Sequence, residues 1–131
     1  MFLDANVLIH AYGMSDPKGQ ACASLMARII TGEQKATTSV MVINEVLYYF
    51  SQSDGTQRAK EVWSNIQNIS NLKILSVNEE MVKKALLYME NGLDTTDAFH
   101  VAVMDSDNTS VICSYDKAFD KIKTIRRQEP K

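Results

Sequence analysis

The chain has 131 residues, 45% of them hydrophobic and 23% charged, with a formal net charge of −2. That length suits one domain with a sizeable core, and the composition excludes disordered, collagen-like and low-complexity chains. The charge excludes a protein that holds nucleic acid mainly by net positive charge, and no apolar run approaches the roughly 18 residues of a bilayer span.

In chain order, Met1-Phe2-Leu3 reads as a short strand stopped by Asp4. Asp4 or Asn6 then caps a short helix carrying Val7, Leu8, Ile9 and Ala11. Pro17 suits the first turn of a second helix ending near Thr31-Gly32. Ala36-Thr37-Thr38 predicts a strand, and Ser39 starts a very apolar helix from Val40 to about Ser51. After Asp54-Gly55 comes an amphipathic helix from Thr56 to about Ile69, with Ala59, Val62, Trp63 and Ile66 at helical spacing. Lys73 to Val77 predicts a strand, Asn78 to Glu90 a helix closed by Asn91-Gly92, and Thr96 to Met104 another helix. Ser110 to Ser114 and Ile122 to Ile125 are the last predicted strands. Strands alternating with helices imply βαβ units and a three-layer α/β/α domain with a mostly parallel sheet. Cys22 and Cys113 lie among small or apolar residues, as buried reduced thiols of a cytoplasmic protein do. No secretory signal is visible at the N-terminus.

Four of the sixteen acidic residues do not read as solvated surface. Asp4 follows the first strand directly, and Asp116 follows Val111-Ile112-Cys113-Ser114 after one residue. Ligands of parallel α/β sheets collect outside the carboxyl ends of the strands. Each Asp alone has a structural alternative, a helix cap or an Asx turn. Glu45 lies among Met41, Val42, Tyr48 and Tyr49, where a charge is costly unless paired or bound. Its alternative is a narrow polar stripe with Asn44. Asp97 falls in a first helical turn, favourable for a carboxylate, with Asp94 as the N-cap. His100 shares the face of Asp97, and a lone histidine there is more often a satisfied core residue than a ligand. If the four acids converge, their mutual repulsion calls for cations. Oxygen ligands without a Cys/His pattern favour Mg²⁺ or Mn²⁺ over Zn²⁺.

Four segments taken together resemble the PIN-domain family, most closely its single-domain VapC-type toxin ribonucleases. They are Phe2-Leu3-Asp4-Ala5-Asn6, Thr38-Ser39-Val40 leading to Asn44-Glu45-Val46, Thr96-Asp97-Ala98-Phe99-His100, and Ser114-Tyr115-Asp116. No one segment is specific, but their order and spacing are. The resemblance implies a PIN-like fold and a metal-dependent endoribonuclease yielding 5′ phosphate and 3′ hydroxyl ends. It implies that Asp4, Glu45, Asp97 and Asp116 hold Mg²⁺ or Mn²⁺, that Asn6 orients Asp4, and that Ser114 lies near the metals. It further implies a homodimer inhibited by a small antitoxin protein. Asp120 is an auxiliary acid or, more simply, a turn residue. One residue fewer precedes the first strand than in many relatives, and Asp105–Thr109 lacks a glycine common before the fourth strand.

From Lys117 to Lys131 there are six basic residues against two acidic ones, a local +4. Lys117, Lys121, Lys123, Arg126 and Arg127 are therefore candidates for contacting an RNA backbone, unless the segment is simply a solvated tail. Rival readings are a PIN fold that binds RNA or protein without cutting, and a solitary RNA-processing nuclease. A haloacid-dehalogenase-like phosphatase requires a second Asp where Asn6 stands.

Overall fold

The computed structural model describes all 131 residues. In chain order it comprises β1 (Phe2–Leu3), α1 (Ala5–Gly13), α2 (Pro17–Ile30), β2 (Ala36–Ser39), α3 (Val40–Asp54), α4 (Thr56–Gln67), β3 (Leu72–Leu75), α5 (Glu80–Glu90), α6 (Thr95–Ser106), β4 (Val111–Cys113) and β5 (Arg126–Gln128). A 3₁₀ turn, Lys117–Lys121, precedes β5. The five strands form one sheet in the order β3-β2-β1-β4-β5, and every pairing is parallel. With helices on both faces this is the expected three-layer α/β/α architecture. No helix is long and apolar enough to cross a membrane.

The order explains where a site forms. From the central β1 the chain builds outward to β2 and β3, then returns to the other side of β1 for β4 and β5. The strand order therefore reverses between β1 and β4, and a crevice opens beyond their carboxyl ends. Strands in the middle of a parallel sheet are covered on both faces; Phe2, Leu3, Ile112 and Cys113 are fully buried. Cys22 and Cys113 are both free thiols in the core.

The caps are local and legible. Asp4, Asp16, Ser39 and Asp94 accept hydrogen bonds from the first-turn amides of α1, α2, α3 and α6. Gly19, in the first turn of α2, has a different necessity. A Cβ there would lie 2.2 Å from the backbone oxygen of Met14. Gly19→Ala is expected to destabilise the protein by about 1–3 kcal/mol in chemical denaturation, because the obstacle is backbone and cannot rotate away.

One expected strand is wrong. Ile122–Ile125 is not extended: the Ile122 amide bonds to Phe119 and the Ile125 amide to Ile122, in successive turns. Both isoleucines are buried together with Phe119. Their apolar spacing is that of a folded-back loop plugging the core, and the strand begins only at Arg126. On α3 and α4 the apolar positions Val46, Phe50, Ala59, Val62 and Ile66 are all buried in the core. Tyr48 on α3 is exposed, and Val82, Leu86, Leu87 and Met89 form an exposed apolar group on α5.

Candidate functional site

Asp4 is the anchor of the site. It ends β1 and caps α1, and only 5% of it is exposed. Its Oδ1 accepts from the Ala5 amide at 2.7 Å. Its Oδ2 accepts from Asn6 Nδ2 at 2.7 Å and from Ser114 Oγ at 2.5 Å. Asn6 Nδ2 also reaches Ser114 Oγ at 3.0 Å, while Asn6 Oδ1 accepts from the Tyr115 amide. This network ties the end of β1 to the end of β4 across the switch point. Ser114 Oγ in turn accepts from the Asp116 amide at 2.9 Å, and the Asp116 carboxylate caps the 3₁₀ turn through Ala118. Asp116 itself is exposed at the rim.

Glu45 comes from α3. Its side chain is 37% exposed, and its Oε2 lies 2.8 Å from Nε2 of the fully buried His100 on α6. The same Nε2 is 3.7 Å from Asp4 Oδ1. Asp4, Glu45 and His100 each present one donor atom, all within 4.8 Å of one another. Asp97 stands one turn before His100, its amide held by the Asp94 cap at 2.9 Å.

Electrostatics link the acids. Burial, then the charges of Asp94, Asp4 and Asp116, push Asp97 up to about 7. Asp4 is also raised, mainly by burial, with the His100 charge and the Ser114 hydrogen bond pulling the other way. Burial opposes charge on His100, but the bond to Glu45 and the charges of Asp4, Glu45 and Asp97 outweigh it and raise its pKa. The charges of Asp4 and Asp116 thus reach Asp97, and that of Glu45 reaches Asp4. A carboxyl raised by burial and then by its neighbours' negative charge marks a site short of positive charge. Hard oxygen donors around such a deficit fit a divalent cation of the Mg²⁺ or Mn²⁺ type. Beside Glu45 a cavity of about 560 Å³, lined by Ile9, Tyr48, Tyr49, Gln52 and Ser53, leaves room for a substrate.

The basic segment divides. Arg127 turns inward: Nε bonds Asp120 at 3.0 Å, and Nη1 bonds Glu129 at 3.0 Å and the Ser114 carbonyl at 2.9 Å. It braces the loop carrying Ser114, and Asp120 is its counter-ion. Arg126 pairs in register with Val111, at the amino end of β4 and away from the carboxyl-end crevice. Lys121 reaches the Gly92 carbonyl at 3.2 Å. Lys117 and Lys123 are exposed. His100 is the residue that sequence reasoning undervalued. Its signal was its place one helical turn from Asp97, but its partner Glu45 lies 55 positions away.

Known proteins resemble the chain in sequence and in fold. The chain is 29% identical to ribonuclease VapC7 of Mycobacterium tuberculosis over 126 residues, covering 94% of this chain and 86% of that protein. It is 23% identical to ribonuclease VapC13 of the same organism over 129 residues, covering 97% and 98%. Among solved structures, VapC20 of Mycobacterium tuberculosis, described as a sarcin-ricin loop cleaving toxin, superposes with a TM-score of 0.75 at 16% identity, over 93% of this chain and 94% of that one. DNA-bound VapBC from Salmonella typhimurium gives 0.72 at 17% identity, over 98% and 96%. The family model for the PIN domain matches residues 1–125. With the all-parallel sheet and the acids at its switch point, this places the chain in the PIN-domain family.

Proposed function

We propose that the protein is a Mg²⁺- or Mn²⁺-dependent endoribonuclease, the toxin of a toxin–antitoxin pair, with Asp4, Glu45, Asp97 and Asp116 holding the metal. What supports this reading is the meeting of Asp4 and Glu45 beside His100, with burial and the charges of Asp94, Asp4 and Asp116 raising Asp97 nearby. The relatives' names as VapC ribonucleases support the activity.

In this reading Asn6 and Ser114 hold Asp4 in one rotamer, so the centre is preorganised before substrate arrives. Asp97 would hold the cation as its carboxylate. A bound divalent ion supplies charge stabilisation at the phosphoryl oxygens and a lowered pKa for a water molecule. The cavity beside Glu45, lined in part by Tyr48 and Tyr49, takes the nucleotide flanking the scissile bond. Contact with the phosphate backbone is assigned first to Lys117, Lys121 and Lys123, because Arg127 is engaged internally and Arg126 faces the other end of the sheet. Lys117→Ala is expected to weaken RNA binding and to lower the slope of log affinity against log salt by about 0.7–0.9, the share of one phosphate contact. Filter binding across a salt series checks this. A small antitoxin protein is the proposed partner, supported by the toxin–antitoxin complexes among the structural neighbours. The apolar side chains of α5 support a homodimer.

The test is cleavage of a panel of structured and single-stranded RNAs with Mg²⁺, with Mn²⁺ and with chelator, beside Asp97→Asn. Cutting that needs both the metal and Asp97 supports the proposal. Metal binding without cutting of any RNA points instead to a PIN fold that binds without catalysis.

A further inference from the structure

We infer that His100 is a positioning residue for Glu45 and not itself a ligand of the cation. The inference rests on the reading of the crevice as a divalent-cation site. By proximity alone, Asp4, Glu45 and His100 make a mixed nitrogen–oxygen metal triad. The hydrogen bonding of the imidazole argues otherwise.

A carboxylate accepts, so the 2.8 Å contact with Glu45 Oε2 places a proton on His100 Nε2. The ring is fully buried, and its Nδ1 has no hydrogen-bond partner. Ligation through Nε2 requires breaking the bond to Glu45 and carrying the ring proton on Nδ1, where no acceptor waits. Metal-binding histidines almost always donate their other N–H to an acceptor that fixes the tautomer. His100 lacks that support and has the opposite arrangement, a donor aimed at a carboxylate.

Glu45 needs such a donor. Asp4 is held by three donors, from Ala5, Asn6 and Ser114. Glu45 has a longer side chain with more rotamers, projects from α3 beside an open cavity, and has His100 as its hydrogen-bond partner. The bond engages Oε2, leaves Oε1 free, and crosses from α6 to α3. The buried imidazole, packed with its ring centroid 5.9 Å from that of Phe2, is thereby the fixed point that sets a mobile ligand.

Two measurements test this, and neither uses RNA. The first is calorimetric titration of Mn²⁺ into the parent, His100→Leu, His100→Gln, Glu45→Ala and the Glu45→Ala/His100→Leu double variant, with folding checked by circular dichroism. His100→Leu is expected to weaken binding about 10- to 100-fold. His100→Gln, whose amide can donate where Nε2 does, is expected to recover most of that loss. In the Glu45→Ala background, His100→Leu is expected to add nothing. A further loss in that background means direct ligation and overturns the inference, as does parent-like affinity in His100→Leu. The second measurement needs no variant. The ¹⁵N-bonded proton at Nε2 is expected to persist in the Mg²⁺-saturated parent, and its loss on saturation overturns the inference. A parent that binds cation but cuts no RNA overturns the nuclease reading and leaves the role of His100 standing. A parent that binds no cation overturns both.

Discussion

Asp97→Asn is expected to reduce metal-dependent RNA cleavage by about 10³-fold or more, while making the metal-free protein more stable at pH 8. Both halves come from one carboxyl. Its negative charge is needed to hold a cation, and charge stabilisation of several kcal/mol disappears with it. Without the cation that charge is a cost, because burial and the neighbouring acids push its pKa up to about 7. The sign follows from linkage. A carboxyl with a raised folded pKa binds its proton more tightly folded than unfolded. Stability therefore falls as pH rises from the ordinary Asp value toward 7, and the cost is fully present above 7. Asn carries no charge and removes the cost. The gain at pH 8 is about 1 kcal/mol, discounting the shift for a side chain still partly open to solvent. It vanishes below pH 4. Thermal unfolding of both proteins in chelator, at pH 4 and pH 8, reads it directly. Adding Mn²⁺ is expected to raise the melting temperature of the parent and not of the variant. Calorimetry of the parent is expected to show proton release on metal binding below pH 7, and affinity about tenfold weaker at pH 6 than at pH 8.

Asp4→Ala is expected to lose cleavage to a similar degree but to lose stability as well, by about 2–4 kcal/mol. Asp4 caps α1, worth about 1 kcal/mol. It also accepts from the buried Ser114 hydroxyl and from Asn6, whose unpaired groups cost about 1–3 kcal/mol more. Relief of the buried charge offsets part of this. Asp4→Asn separates the two roles in part. Its single amide oxygen can accept either from Ala5 or from Asn6 and Ser114, and its amide nitrogen then faces the other donors, so a stability loss of about 1–2 kcal/mol, smaller than in Asp4→Ala, is expected while cleavage is lost. Because the Asp4 charge is one of the causes that raise Asp97, the Asp97 pKa is expected to fall in Asp4→Asn, which carboxyl NMR titration checks. An unchanged Asp97 titration means the two carboxyls are not coupled. The contrast matters for reading any loss of activity. Asp97 is free of structural duty because Asp94 caps α6, whereas Asp4 is part of the fold.

Much of this was legible in the chain. Asp4, Ser39 and Asp94 announce helix starts because a cap acts within one turn of backbone. Phe2-Leu3 and Val111-Ile112-Cys113 announce buried parallel strands because both faces of such strands are covered. Asp4 and Asp116 mark the carboxyl edge of the sheet, because each lies just beyond the end of a strand. Asn6 and Ser114, expected beside the metal site by resemblance, lie in the hydrogen-bond network of Asp4. The strand misplaced at Ile122–Ile125 shows the limit. Apolar spacing over four residues does not distinguish a strand from turns folded onto the core.

Propensity, capping and periodicity act over a few residues, which is why the class of fold, the helix starts and a short list of unusual acids can be read along the chain. Which of those groups meet is a matter of folding. The Asp4–Ser114 bond spans 110 positions and the Glu45–His100 bond spans 55. Such distances are set by strand order and register, which place β4 beside β1 and α6 against α3. Arg127 reads as a free cation in the chain and proves to be bound among Asp120, Glu129 and the Ser114 carbonyl. The raised pKa of Asp97 likewise arises from charges that no local pattern brings together, since burial and proximity are properties of the folded chain.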